Sequence, residues 1–144
     1  MHRTALVTGA STGLGRAFAE MLLAEGVRVW GTSRDLSRLA QLTQAKGGEG
    51  FTPLALELGD VAQLDAAWRA AEQAAGGFDI VINNAGYGVF AEFATADFSV
   101  WDEQLQVMLI NTARLSHHAV RGMLARKRGA LVNLSSLAAE FPLP

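Results

Sequence analysis

A short apolar strand, Thr4-Ala5-Leu6-Val7, runs into Thr8-Gly9-Ala10-Ser11-Thr12-Gly13-Leu14-Gly15 and then into an amphipathic helical stretch. No other feature constrains the fold as tightly. A glycine-rich turn between strand and helix leaves backbone N–H groups free at a helix N-terminus, an arrangement that binds the pyrophosphate of a dinucleotide. Leu14, Ala17, Phe18, Met21 and Leu22 recur at i, i+3, i+4, i+7 and i+8, which predicts an apolar helix face built from those residues. Gly26 supplies the stop. Gly9 permits the tight turn, Gly13 lets the backbone approach phosphate with no Cβ in the way, and Gly15 allows the helix to pack close to the sheet.

The rest of the chain alternates strand and helix. Residues 27–32 read as a second strand, 36–46 as a helix ended by Gly47 and Gly48, and 51–56 as a third strand. Pro53 is tolerable there only near a sheet edge. Asp60 is placed to cap a helix whose inward face is Leu64, Ala67, Trp68 and Ala71, closed by Gly76 and Gly77. Residues 79–83 form a fourth strand. Thr95 or Asp97 opens a long helical stretch carrying Phe98, Trp101, Leu105, Met108, Leu109 and Ala113, which runs with a break to about Arg126. Residues 130–134 form a fifth strand. Strict alternation predicts an α/β fold: a doubly wound parallel sheet of Rossmann type, with residues 1–144 as one dinucleotide-binding domain.

Half of the 144 residues are hydrophobic and the mean hydropathy is +0.19. Strands buried on both faces of a parallel sheet read as continuous apolar runs, which accounts for this. A formal net charge of -2 offers no electrostatic case for nucleic acid or an anionic membrane. There are no cysteines, so disulfides and thiolate metal sites are excluded. His117 and His118 are adjacent and point to different helix faces, so no shared metal is expected. No signal-peptide pattern opens the chain and no apolar run is long enough to span a bilayer, which makes the cytoplasm the expected compartment. Arg126-Lys127-Arg128 is expected to cap the C-terminus of the long helix.

The glycines are spaced G-x-x-x-G-x-G. Asn83-Asn84-Ala85-Gly86 follows the fourth strand, Asn111 lies in the long helix, and Asn133-Leu134-Ser135-Ser136 ends the fifth strand. In this order and on these elements, the set resembles the short-chain dehydrogenase/reductase family over nearly the whole chain. The resemblance implies an oxidoreductase that interconverts an alcohol and a carbonyl by hydride transfer with a nicotinamide cofactor. It implies a small-molecule substrate and a homo-oligomer. It also implies cofactor-binding roles for Gly9, Ser11, Thr12, Gly13, Leu14 and Gly15, and for Asn84, Ala85 and Gly86. Ser136 matches the catalytic serine that hydrogen-bonds the substrate oxygen, with Ser135 as a strand-end residue. Asn111 matches an asparagine that supports proton transfer.

Cofactor choice turns on the end of the second strand. Ser33 stands where NAD enzymes of this architecture carry an acidic residue, and Arg34 follows it. A carboxylate would repel a 2′-phosphate, whereas an arginine binds it through charge-assisted hydrogen bonds worth roughly 1.5–3 kcal/mol, a preference on the order of ten- to a hundred-fold. NADP (NADPH) is therefore the expected cofactor; the competing reading makes Arg34 a solvated charge beside Asp35. After the third strand, one register brings Glu57 to the adenine with a Leu58 backbone contact, and the other brings Asp60. The first aligns Leu64 and Trp68 with the family's buried helix positions.

The family's catalytic set also contains a tyrosine with a lysine four residues later. This chain has one tyrosine, Tyr87, with Ala91 four residues on, and its lysines are Lys46 and Lys127. The family places the pair beyond the serine, past Pro144. The sequence accordingly reads as the N-terminal portion of a longer enzyme, without its proton donor or the C-terminal strands of the family sheet, and inactive as given. Its fifth strand would expose an edge and an apolar face, so marginal stability or self-association is expected. Residues 97–126 would serve as an oligomer surface or as core. The alternative function is a non-catalytic NADP(H)-binding module or an inactive fragment.

Overall fold

The computed structural model describes residues 3–44, 49–56, 60–137 and 140. Five strands, β1 (Thr4–Val7), β2 (Arg28–Ser33), β3 (Phe51–Ala55), β4 (Ile80–Asn83) and β5 (Ala130–Asn133), form one parallel sheet in the order β3-β2-β1-β4-β5. The intervening helices are α1 (Gly13–Ala24), α2 (Ala40–Gln44), α3 (Val61–Ala75), α4 (Phe98–Leu105) and α5 (Asn111–Arg126). This is the predicted Rossmann-type α/β architecture. Pro53 lies in β3 at the sheet edge, opposite Gly31, where its missing N–H costs no ladder bond on the open side.

Strand alternation divides the core. Ala5, Val7 and Val29 pack on α1 and on the segment carrying Leu39 and Leu42. Leu6, Trp30 and Val81 point the other way, onto Leu64 and Trp68 of α3 and Leu115, Ala119 and Met123 of α5. Phe78 sits in this second layer, edge-on to both Trp30 and Trp68 at centroid distances of 5.5 Å.

Three expectations need correction. The buried face of α1 is Gly15, Ala19, Leu22 and Leu23, while Leu14 and Met21 are 64% and 54% exposed and Ala17 is also exposed. The helix is rotated because its point of closest approach to the sheet is the residue without a side chain, Gly15. The segment after β2 begins as a 3₁₀ turn, Leu36–Leu39, before becoming α2, because Asp35 caps it tightly through Ser37. The end of that predicted helix, Lys46 with Gly47 and Gly48, falls outside the described residues. Of the basic run, Lys127 caps α5 as expected, whereas the Arg126 and Arg128 side chains reach beyond that helix. Arg126 donates from Nη2 to the Phe78 carbonyl at 2.7 Å, Arg128 pairs with Asp79 at 3.0 Å, and Lys127 adopts the left-handed C-cap conformation at φ 55°. Arg126 and Arg128 thus tie the end of α5 to the residues just before β4. Of the two readings of the long helical stretch, surface and core, each holds in part: Phe98, Leu105, Met108 and Leu109 are exposed, while Val107, Leu115, Ala119 and Met123 are buried.

The break in that stretch is a π-helical turn, Gln106–Ile110, joining α4 to α5, and it is Asp97, not Thr95, that caps α4 by accepting from the Ser99 N–H at 2.9 Å. Among the described residues no helix is long and apolar enough to cross a membrane.

Candidate functional site

Each parallel strand delivers its C-terminal end to the same edge of the sheet, and ligands of open α/β sheets bind there. At the end of β1, Thr8 holds the neighbouring loop in place. Its hydroxyl, 2% exposed as a residue, accepts from the Asn84 N–H at 2.9 Å and the Ala85 N–H at 3.0 Å. In return the Asn84 amide donates to the carbonyls of Thr8 (2.9 Å) and Gly9 (3.3 Å). On the other side Thr32 of β2 accepts the Gly9 N–H through Oγ1 at 3.1 Å and the Ala10 N–H through its carbonyl at 2.9 Å. The glycine turn is thus clamped between β2 and the β4 loop.

Two glycines are required by this geometry. Gly9 has φ 68°, and a Cβ there would sit 3.0 Å from the Ala85 Cα. A Cβ on Gly15 would meet the Gly9 carbonyl oxygen and the Asn84 amide nitrogen, so only glycine lets α1 begin so close to β1. Thr12 precedes α1 in an extended conformation and makes no side-chain cap hydrogen bond. The first-turn amides of α1 are therefore not occupied by their own cap.

The turn opens onto a cleft of about 580 Å³. Gly9, Ser11, Thr12, Gly13 and Leu14 line its floor, and Asn84, Ala85 and Gly86 line the β4 side. Gly15 is buried behind the turn. Ser33 and Arg34 line the β2 side, joined by Arg38. Asp35 lines the same side of the cleft; its Oδ1 accepts from the Ser37 hydroxyl at 2.7 Å and the Ser37 N–H at 2.9 Å, and these bonds hold its carboxyl below the usual carboxylate range. Uncapped helix amides, glycines with left-handed backbone and a pair of guanidinium groups fit a dinucleotide carrying an extra phosphate.

Tyr87 also lines the cleft; burial, and then the nearby Glu103 carboxylate, push its pKa up, so the phenol stays protonated at neutral pH. Glu57 and Leu58 lie outside the described residues. Asp60 caps α3, with Oδ1 accepting the Gln63 N–H at 3.0 Å and Oδ2 the Gln63 side-chain amide at 2.9 Å.

The serine and asparagine singled out from the sequence lie just beyond β5 and at the start of α5. Asn111 is fully buried at the junction of the π turn and α5, where its Oδ1 accepts from Gln106 Nε2 at 3.2 Å. Ser136 is exposed beyond β5. Neither is among the described residues that line the cleft. Between them, Asn83 donates from Nδ2 to Asn133 Oδ1 at 2.8 Å and to the Ser116 hydroxyl at 3.1 Å, linking β4, β5 and α5.

Sequence reasoning passed over Thr32 and Arg38 and treated Thr8 only as part of a motif. The one available signal for Arg38 was its spacing, one helical turn beyond Arg34. Nothing local marks Thr32, whose partner is 23 residues away.

Residues 3–144 match the family model for short chain dehydrogenase. A probable NADP-dependent dehydrogenase of Haemophilus influenzae is 33% identical over 140 residues, covering 96% of this chain and 55% of that protein. A 3-oxoacyl-acyl-carrier-protein reductase of Vibrio harveyi is 33% identical over 135 residues, covering 94% and 55%. The crystal structure of a metagenomic short-chain oxidoreductase in complex with NADP superposes with a TM-score of 0.92 at 33% identity, over 98% of this chain and 65% of that one. The chain spans about half the length of the curated relatives it matches. The parallel sheet, the clamped glycine turn and these matches agree, and the chain belongs to the short-chain dehydrogenase family.

Proposed function

We propose that this chain binds NADP(H) in the cleft at the C-terminal edge of the sheet and, within an oxidoreductase, serves the interconversion of an alcohol and a carbonyl. Arg34 carries the reading. A NAD site of this architecture has a carboxylate at the end of the second strand. Here Ser33 and Arg34 occupy that wall, and the adjacent Asp35, which also lines the cleft, has its Oδ1 held by Ser37. Arg38 adds a second guanidinium on the same side. The names of the Haemophilus relative and the metagenomic structure support the same cofactor.

In this reading Ser11, Thr12, Gly13 and Leu14 hold the pyrophosphate on the first-turn amides of α1, and Asn84, Ala85 and Gly86 form the opposite wall. Both Asp60 oxygens are taken by Gln63, which favours Glu57 and the Leu58 backbone for the adenine. The bound nicotinamide supplies or receives the hydride. Ser136 would orient the substrate oxygen and Asn111 would support proton transfer. The 144 residues hold no Tyr-x-x-x-Lys pair, so the proposed catalytic set in this chain stops at those residues and the chain alone binds cofactor without turnover. Self-association through the exposed stripe of residues 97–126 belongs to the same proposal.

The test is titration with NADPH and NADH, before and after Arg34→Ala, followed by calorimetry. NADPH binding should weaken on the order of ten- to a hundred-fold, and NADH binding should barely change. An unchanged ratio of the two affinities refutes the reading.

A further inference from the structure

The cleft that Arg34 lines also carries two carboxylates, Asp35 next to it in sequence and Glu103 of α4. Gln104 of α4 donates from Nε2 to the Tyr87 carbonyl at 3.1 Å, which pins the backbone just after Gly86 to that helix. The preceding residue, Glu103, lines the cleft beside Tyr87, while Arg34 and Arg38 line it from β2. Burial and then Glu103 push the Tyr87 pKa up, and Arg34 pulls it down. The phenol therefore lies within the fields of an anion from α4 and a cation from β2, and both charges act on one region of the cleft. Among the described residues Glu103 forms no salt bridge, so its charge is not absorbed by a partner on its own helix.

We propose that Glu103, held beside Tyr87, is a specificity-determining residue that opposes Arg34 and narrows the preference of this cleft for a 2′-phosphorylated nucleotide. The inference rests on the NADP(H) reading above, in which Arg34 receives the 2′-phosphate. A carboxylate and a phosphate that share an open cleft repel each other through screened water, so the effect is a modest one, about two- to five-fold in affinity at low salt. NADH, which lacks that phosphate, should barely sense the carboxylate.

Calorimetric titration of the full chain with NADPH, NADH and 2′,5′-ADP, at low and at high salt, tests this. Glu103 is exposed, so glutamine in its place leaves the helix intact. Glu103→Gln should tighten NADPH and 2′,5′-ADP about two- to five-fold, leave NADH unchanged, and lose its advantage at high salt. Glu103→Ala should give the same shift in ratio. Tyr87→Phe, which keeps the carboxylate, should not raise the ratio. An equal effect on both dinucleotides, or none, overturns the proposal. If Arg34→Ala lowers the NADPH to NADH preference while Glu103→Gln fails to raise it, the role of Glu103 alone falls. If Arg34→Ala leaves the preference unchanged, the NADP(H) reading falls and this inference with it.

Discussion

Thr8→Val removes one oxygen from the structure and tests how the cofactor loop is held. Valine keeps the shape of the buried threonine, so packing is nearly conserved. The loss is the acceptor for two backbone donors, the Asn84 and Ala85 N–H groups at 2.9 and 3.0 Å. A buried donor left without a partner costs about 1–3 kcal/mol. Asn84 and Ala85 are only half-buried, so water reaches them in part and the lower half of that range applies to each. The total is about 2–4 kcal/mol. With a urea dependence of roughly 2 kcal/mol/M, the unfolding midpoint should fall by about 1–2 M. The core residues Trp30 and Trp68 provide the fluorescence signal. Thr8→Ser is the control, because it keeps the hydroxyl and loses one methyl, worth about 1 kcal/mol. NADPH affinity should fall in Thr8→Val and hold in Thr8→Ser, since Asn84, Ala85 and Gly86 line the cleft. If valine proves as stable as serine at this position, the clamp carries no energy and the reasoning is wrong.

Asp65 of α3 joins α5 through His118 Nε2 at 2.9 Å and Arg114 Nη1 at 3.1 Å. The His118 hydrogen bond outweighs burial and, with the Arg114 charge, holds the carboxyl below its usual value. A depressed folded pKa contributes stability above the unfolded value of about 3.9 and loses it as pH falls through the folded one. Asp65→Asn should therefore unfold at lower temperature than wild type at pH 7, with the gap closing below about pH 3.9. A gap of constant size would count against this coupling. Along the exposed stripe, Leu109→Glu and Leu124→Glu place charge where both leucines stand 59% and 71% exposed. Sedimentation should shift toward monomer in both variants, and an unaltered distribution would remove this face from the proposed self-association.

Much of the site could be read before the structure because it is local. The turn from Gly9 to Gly15 depends on residues within one strand and one helix start, and its glycines sit where backbone sign and closeness demand them. The misphased face of α1 shows where local reading stops. Leu14 and Met21 satisfy the helical period, but the period ranks residues by hydrophobicity. Packing instead places the smallest residue, Gly15, at the tightest contact and turns Leu14 toward the cleft. The exposed stripe of α4 and α5 has a related cause: periodicity shows that a helix has an apolar face without showing what meets it.

What the chain determined on its own was the succession of strands and helices, the edge position of β3 through Pro53, and the placing of Arg34 after Ser33. All of these follow from short-range patterns and from the rule that parallel strands need crossovers. Only the tertiary structure decided that Thr8 supports a loop 76 residues away, that Asp35 caps the turn after β2 while lining the cleft with the arginines, and that Glu103 lines that same cleft. Those relations are made by strands and helices distant in sequence meeting at one sheet edge, and no local period encodes that meeting.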